Sequence, residues 1–203
     1  MKFRYFLISS AFRISNDYQI EYHRLCSCIC KYPSKVHSFI VLNKYAKFWI
    51  KKLNLNKHPE GGYFADTYKS DKIIRLPGYD GSRSICTAIY YLLTGNQFSS
   101  FHIMKSDEIW HFYSGSSLTL YIIDSNGKLT KAFLGPNISK GEMFQLVIKS
   151  GCWFAASVNE KKSYSLVGCT VSPGFDYKDW EIGNRKRLIE MYPEHKQIIE
   201  RYT

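Results

Sequence analysis

The chain has 203 residues, 45% of them apolar, which is enough for one domain with a full core and too few for two of ordinary size. Its net charge of +11 is scattered, with no basic stripe or reading motif, so no nucleic-acid partner is expected. No apolar run approaches the roughly 18 residues that span a bilayer, and the spacing of the six cysteines makes no disulfide framework, so the expectation is a soluble, cytoplasmic protein with reduced thiols and no membrane partner.

Residues 1–40 are basic, aromatic and Ser-rich without a sustained period. Arg13 cuts short the apolar stretch Tyr5–Phe12 and no clean small-residue cleavage pattern follows, so this segment reads as an extension of unknown role. Cys26, Cys28 and Cys30 alternate within it, but no second Cys/His pair accompanies them at zinc-finger spacing. A single domain is expected over 44–203. It opens with a helix over 44–53, capped by Asn43, with Tyr45, Phe48, Trp49 and Leu53 on one face.

After His58-Pro59-Glu60-Gly61-Gly62 the period switches to short runs rich in Tyr, Ile, Val, Phe and Thr. They fall at 62–69, 84–93, 99–104, 107–114, 117–123, 129–134, 142–148, 152–158, 163–172 and 176–182. Such spacing implies an all-β sandwich or barrel and excludes parallel βαβ units. Turn signals at Ser125-Asn126-Gly127 and Gly135-Pro136-Asn137 fit hairpins. The C-terminus returns to helix: Leu188, Met191 and Tyr192 make one apolar face, Pro193 restarts a turn, and Ile198, Ile199 and Tyr202 make another. These helices are expected to flank the barrel on its outside.

The strongest site signal is SFHIMKSDEIWHFYSG at 100–115. Along its second half Glu108, Trp110 and Phe112 share one face, and Asp107, Ile109, His111 and Tyr113 the other. With Glu108 turned inward, His111 faces out. His102 and Glu108 then meet across the hairpin, either as two metal ligands or as an acid/base pair whose carboxylate orients the imidazole and raises its pKa. A lone surface acid on an edge strand is the plainer alternative. Three other places supply candidate ligand-binding groups. His58 and Glu60 stand beside paired glycines, which either let the backbone approach a ligand closely or simply make a sharp turn. Gln145 offers an amide to the pocket or lies on the surface. Of Trp153 and Phe154, adjacent and so on opposite faces, one lines the cavity.

The motifs LNLNKHPEGGYF at 53–64, TAIYYLL at 87–93, FHIMKSDEIWHFYSG at 101–115, GEMFQ at 141–145 and LVGCTVSPGFDY at 166–177 together resemble the uncharacterised Cupin-5-type family of RmlC-like cupins. The resemblance covers about 44–192. It implies a double-stranded β-helix, the jelly-roll cupin barrel, with a small-molecule-sized pocket and, frequently, a homodimer; the family has no settled activity. Metal-binding cupins carry two histidines in H-x-H spacing, a glutamate and a later histidine after P-x-G. Here the H-x-H positions are His102 and Met104, or Phe101 and Ile103, while Lys149-Ser150-Gly151 replaces P-x-G and Phe154 replaces the last histidine. At most His102 and Glu108 survive, short of the three or four ligands a first-row metal needs, so no metal or other cofactor is expected. The leading functional reading is a protein that binds a small polar organic ligand. The alternatives are a metal-independent isomerase similar to sugar-nucleotide epimerases of cupin fold, with His102 as general base assisted by Glu108, and a metal-dependent dioxygenase or isomerase.

Overall fold

The structure, a computed structural model, describes residues 44–203. The readings of residues 1–40 and of the Asn43 cap lie outside the described residues. The chain opens with helix α1 at 44–52. Strands β1 Asn56–Lys57, β2 Tyr63–Lys69, β3 Ile73–Arg75, β4 Ser82–Ser84, β5 Thr87–Thr94, β6 Phe98–Met104 and β7 Asp107–Gly115 follow. Then come β8 Leu118–Ile123, β9 Leu129–Leu134, β10 Gln145–Ile148, β11 Trp153–Val158, β12 Tyr164–Ser172 and β13 Trp180–Ile182, with helices α2 Arg185–Met191 and α3 Lys196–Arg201 at the end. The expected strands are present. The run expected at 176–182 is split, because the Asp176 side chain accepts a bond from the Lys178 amide and starts a 3-10 turn at Tyr177–Asp179 before β13. The short β1 and the β3–β4 ribbon were not legible as separate strands.

Two antiparallel sheets face each other, a six-stranded one in the order β1-β2-β5-β12-β7-β10 and a five-stranded one in the order β13-β6-β11-β8-β9. This is the expected all-β jelly roll. Alternation along each strand sends one set of side chains into the space between the sheets. Tyr91 and Leu93 on β5, Trp110 on β7, and Val167, Cys169 and Val171 on β12 meet Met104 on β6, Leu118 and Leu120 on β8, and Phe154 and Ala156 on β11.

The outer faces carry the helices. Ala46, Trp49 and Ile50 of α1 cover Leu92, Tyr164 and Leu166, and the Trp49 indole donates to the Tyr164 hydroxyl at 3.1 Å. Leu188 of α2, Ile199 of α3 and Tyr202 cover Phe101, Tyr121, Ile123 and Trp153 on the other sheet. A fully buried large apolar side chain among these, such as Leu92, Leu188 or Ile199, stabilises the fold by about 1.5–3 kcal/mol. No described helix is long and apolar enough to cross a membrane.

One connection sets the site. β6 belongs to the five-stranded sheet and β7 to the six-stranded one, so Lys105 and Ser106 carry the chain from one sheet to the other. His102 and Glu108 therefore do not pair across a hairpin, as the sequence suggested. They stand on facing sheets.

Candidate functional site

At one end the inter-sheet space opens into a cavity of about 610 Å³, lined by His58, Glu60, His102, Glu108, Trp110 and Tyr91, among others. The turn before β2 delivers the first two. Gly61 has φ +115°, and a Cβ there would lie 2.1 Å from the Phe98 carbonyl oxygen; Gly62 has φ +73° and would meet the Leu92 carbonyl oxygen at 2.6 Å. Only glycine fits both the left-handed backbone and the close approach. The turn is fastened by the Ser100 amide donating to the Glu60 carbonyl at 2.9 Å and the Tyr91 hydroxyl donating to the Gly61 carbonyl at 2.8 Å. Paired glycines thus do both things expected of them: they make a sharp turn, and they seat His58 and Glu60 at the cavity.

Glu60 is the hub of the floor. Its Oε2 accepts from the Ser99 hydroxyl at 2.8 Å and its Oε1 from the Trp180 indole at 2.6 Å. The same Oε2 lies 3.4 Å from His102 Nδ1 and 3.8 Å from His58 Nδ1. His102 Nδ1 is 2.7 Å from the Ser100 carbonyl, which can only accept, so the bond assigns the proton to Nδ1 and leaves Nε2 as the basic nitrogen. His58 is the opposite case: its Nδ1 accepts from the Glu60 amide at 3.3 Å. Phe154, directly across from His102 in the β11–β6 register, packs on its ring at 3.9 Å between centroids.

Burial dominates the electrostatics. It pushes the His102 and His58 imidazoles below their ordinary range, with the Glu108 charge only partly opposing this at His102 and Glu60 partly opposing it at His58. Glu108 does pull the His102 pKa upward as expected, but loss of water outweighs the carboxylate and the net shift is downward. Burial also lifts Glu60, against the pull of His58, Ser99 and Trp180. It carries Glu108 up to about 7, with His102 lowering it and Glu60 raising it. Glu108 Oε2 and Trp110 Nε1 are buried and meet no partner in full hydrogen-bond geometry, though the Trp110 indole and the Cys169 thiol stand close enough to the Glu108 carboxyl to pull its pKa down against the effect of burial.

Of the expected residues, His58, Glu60, His102, Glu108 and Trp110 line the cavity, and Phe154 supports it from behind the His102 ring. Two lie elsewhere. Gln145 is exposed at the start of β10, opposite the outward-facing His111, because the inward positions of that strand are Leu146 and Ile148. Trp153 faces outward into the cluster beneath α2 and α3, since its neighbour Phe154 takes the inner face. Tyr91, Ser99 and Trp180 were missed. Tyr91 has a sequence signal, its alternation with Ile89 and Leu93, whereas the Trp180 contact joins residues 120 positions apart and leaves none.

A metal of the kind other cupins hold does not fit these residues. Both Glu60 oxygens are engaged by Ser99 and Trp180, and the Phe154 ring occupies the space beside His102. Among the described residues no three His, Cys, Asp or Glu side chains converge as ligands.

Comparison with known proteins agrees with this architecture. The family described as Cupin superfamily (DUF985), Cupin_5, matches residues 47–183. A Saccharomyces cerevisiae protein, "Uncharacterized protein YML079W", is 29% identical over 143 residues, which is 64% of this chain and 71% of that one. Among solved structures, protein SO0799 of Shewanella oneidensis is 39% identical with a TM-score of 0.72, covering 78% of this chain and 96% of its own. A hypothetical protein from Leishmania major is 34% identical with a TM-score of 0.74, over 78% of this chain and 98% of its own. With a family match spanning more than half its length over a jelly roll with a polar cavity at one end, the chain belongs to the Cupin_5 (DUF985) family of the cupin superfamily.

Proposed function

We propose that the protein binds a small polar organic ligand in the cavity between its sheets. The observation that carries this is the buried Glu108 carboxyl on the wall of a space of about 610 Å³: its Oε2 has no donor in hydrogen-bond geometry, and only the Trp110 indole and the Cys169 thiol stand near it as donors. Leaving such a group unsatisfied costs about 1–3 kcal/mol, which a hydrogen-bonding ligand would recover. The volume lies within the range of small-molecule sites, roughly 300–1,000 Å³. Mass spectrometry of small molecules released from the purified, denatured protein should find one stoichiometric organic species. Protein released empty, and unable to bind any member of a metabolite library, would sink the reading.

A second reading, a metal-independent isomerase, is favoured by one further observation. The Ser100 carbonyl fixes the His102 proton on Nδ1, so Nε2 is a base held beside the cavity, and Glu108 titrates near neutrality on the facing sheet. Such a pair suits removal of a proton from one face of a bound molecule and its return on the other. His102→Gln keeps hydrogen-bonding capacity but cannot cycle a proton. It should spare affinity for the identified ligand and lower turnover roughly 10²–10⁴-fold. Unchanged turnover would remove His102 from the chemistry.

We also propose a homodimer, supported by the large apolar side chains Tyr113, Phe144 and Val147 at the outer face of the six-stranded sheet, which are 51%, 56% and 47% exposed. Light scattering at micromolar concentration should give twice the monomer mass.

A further inference from the structure

We propose that the cavity selects an organic cation, a protonated amine or a small quaternary ammonium, over neutral or anionic molecules of the same size. This rests on the ligand-binding reading above and names the class of ligand. The charge balance of the wall runs against that of the chain. Among the described residues four carboxyl groups line the cavity, Glu60 and Glu108 in its depth and Asp66 and Asp176 toward the rim, and Lys69 is the single lysine or arginine on its wall, in a protein whose net charge is +11. Burial disfavours the charged forms of the two histidines and equally those of Glu60 and Glu108, so the depth of the cavity offers no standing cation and two carboxyls that a bound cation would draw into their charged form. Arg83 does not contribute a cation either. It is committed to Asp179 by bonds of 2.5 and 2.9 Å and to the Asp80 carbonyl at 2.7 Å.

The rest of the wall suits a positive charge. Tyr91 meets Trp110 edge-on at 5.7 Å and Phe175 meets Tyr177 edge-on at 5.0 Å, so two aromatic pairs stand in the cavity wall. Ring faces attract an ammonium electrostatically when water is excluded. The buried Glu108 Oε2 has no donor in hydrogen-bond geometry, with only the Trp110 indole and the Cys169 thiol nearby; a protonated amine supplies a donor together with the countercharge, and a quaternary ammonium supplies the countercharge alone. A neutral alcohol would satisfy the hydrogen bond but leave the carboxylate uncompensated in an apolar wall. A phosphate or carboxylate would meet four carboxyl groups and no arginine fork, which weighs against a sugar nucleotide as the occupant.

Proton linkage gives the signature. Glu108 is faced by Glu60 and His58 from the turn before β2, Tyr91 from β5, His102 from β6 and Cys169 from β12. A bound cation favours its charged form, so cation affinity should rise with pH through about 7 while that of a neutral isostere stays flat.

The test is calorimetric titration of the full chain with choline, tetramethylammonium and butylamine, with the uncharged tert-butyl analogue of choline and pentanol, and with butyrate. At least one cation should bind about tenfold or more tightly than its neutral partner at alkaline pH, with the preference shrinking in acid. Glu108→Gln should abolish the preference without weakening the neutral molecules. Should that variant fail to fold, Asp66→Asn on the exposed rim should weaken every cation by about twofold and leave the neutral molecules unchanged. Neutral molecules or butyrate binding as tightly as every cation would overturn the charge selection while leaving ligand binding intact. Binding of none of the panel would overturn it as well, and the released-molecule measurement would then decide ligand binding separately.

Discussion

The two ends of the space between the sheets are built by the same strands and filled with opposite chemistry. At the closed end Leu93 of β5, Val167 of β12 and Leu118 and Leu120 of β8 interlock with Leu134 and Val158, all buried. A few residues along the same strands, Glu108 of β7 shares the hollow end with Ile89 of β5, Val171 of β12, His102 of β6 and the imported Glu60. Backbone alternation is identical at both ends, so it decides only which side chains point inward. Whether that interior is a core or a site is decided by residue type. Filling one end supplies the stability that lets the other remain hollow and charged.

Truncation in the closed end should have the largest effect. Leu120 is fully buried among leucines and Ala156, so Leu120→Ala should cost about 2–5 kcal/mol in urea unfolding, from lost transfer energy and the cavity left behind. Ligand affinity of the folded fraction should be unchanged. A cost below about 1 kcal/mol would show that the closed end is not what anchors the sandwich.

Gly61→Ala sharpens the comparison from the other side. A methyl group placed 2.1 Å from the Phe98 carbonyl, at φ +115°, forces the turn away from β6. The loss should be on the order of 1–3 kcal/mol, accompanied by changed Trp180 fluorescence as Glu60 leaves the indole it accepts from. A variant as stable as the parent would mean the turn can relax without strain.

How much of this was legible in the sequence follows the same division. Period-two alternation gave the strands, and it placed Glu108 and Trp110 on one inward face. Parity alone could not choose between Trp153 and Phe154. That choice depends on the register that sets Phe154 opposite His102, a pairing between strands far apart in the chain. Gln145 failed for a related reason, since its strand starts only there and turns Leu146 and Ile148 inward. The nearest carboxylate to His102 Nδ1 is Glu60, not Glu108. No local spacing shows this, because the glycine turn folds back across the barrel end. Nor could spacing show that β6 and β7 part company into different sheets.

Glu108→Gln should move stability in the opposite direction from the first two changes. The carboxyl of the unfolded chain titrates near 4.5 and that of the folded protein near 7, so between these values the unfolded state releases a proton the folded state retains. Stability attributable to this group is therefore greatest in acid and falls as pH rises through that window. A glutamine never ionises. The variant should match the parent below about pH 4.5 and exceed it by on the order of 3 kcal/mol at pH 8 in paired urea titrations. Equal stability across the range would mean that water or a neighbour already compensates the charge.

The smallest effect is expected outside both ends. Gln145 is exposed on the outer face at the beginning of β10, directly across from His111, and makes no contact with the cavity. Its neighbour Leu146 packs against the inter-sheet core. One residue of register separates the two, yet they lie on opposite sides of the sheet. Gln145→Ala should leave stability within about 0.5 kcal/mol and ligand affinity unchanged, whereas Leu146→Ala should cost about 2 kcal/mol or more at the partly buried position. Measured side by side, the pair tests the β10 register itself: a slip by one residue would exchange the two outcomes, because it would turn Gln145 inward and Leu146 to solvent.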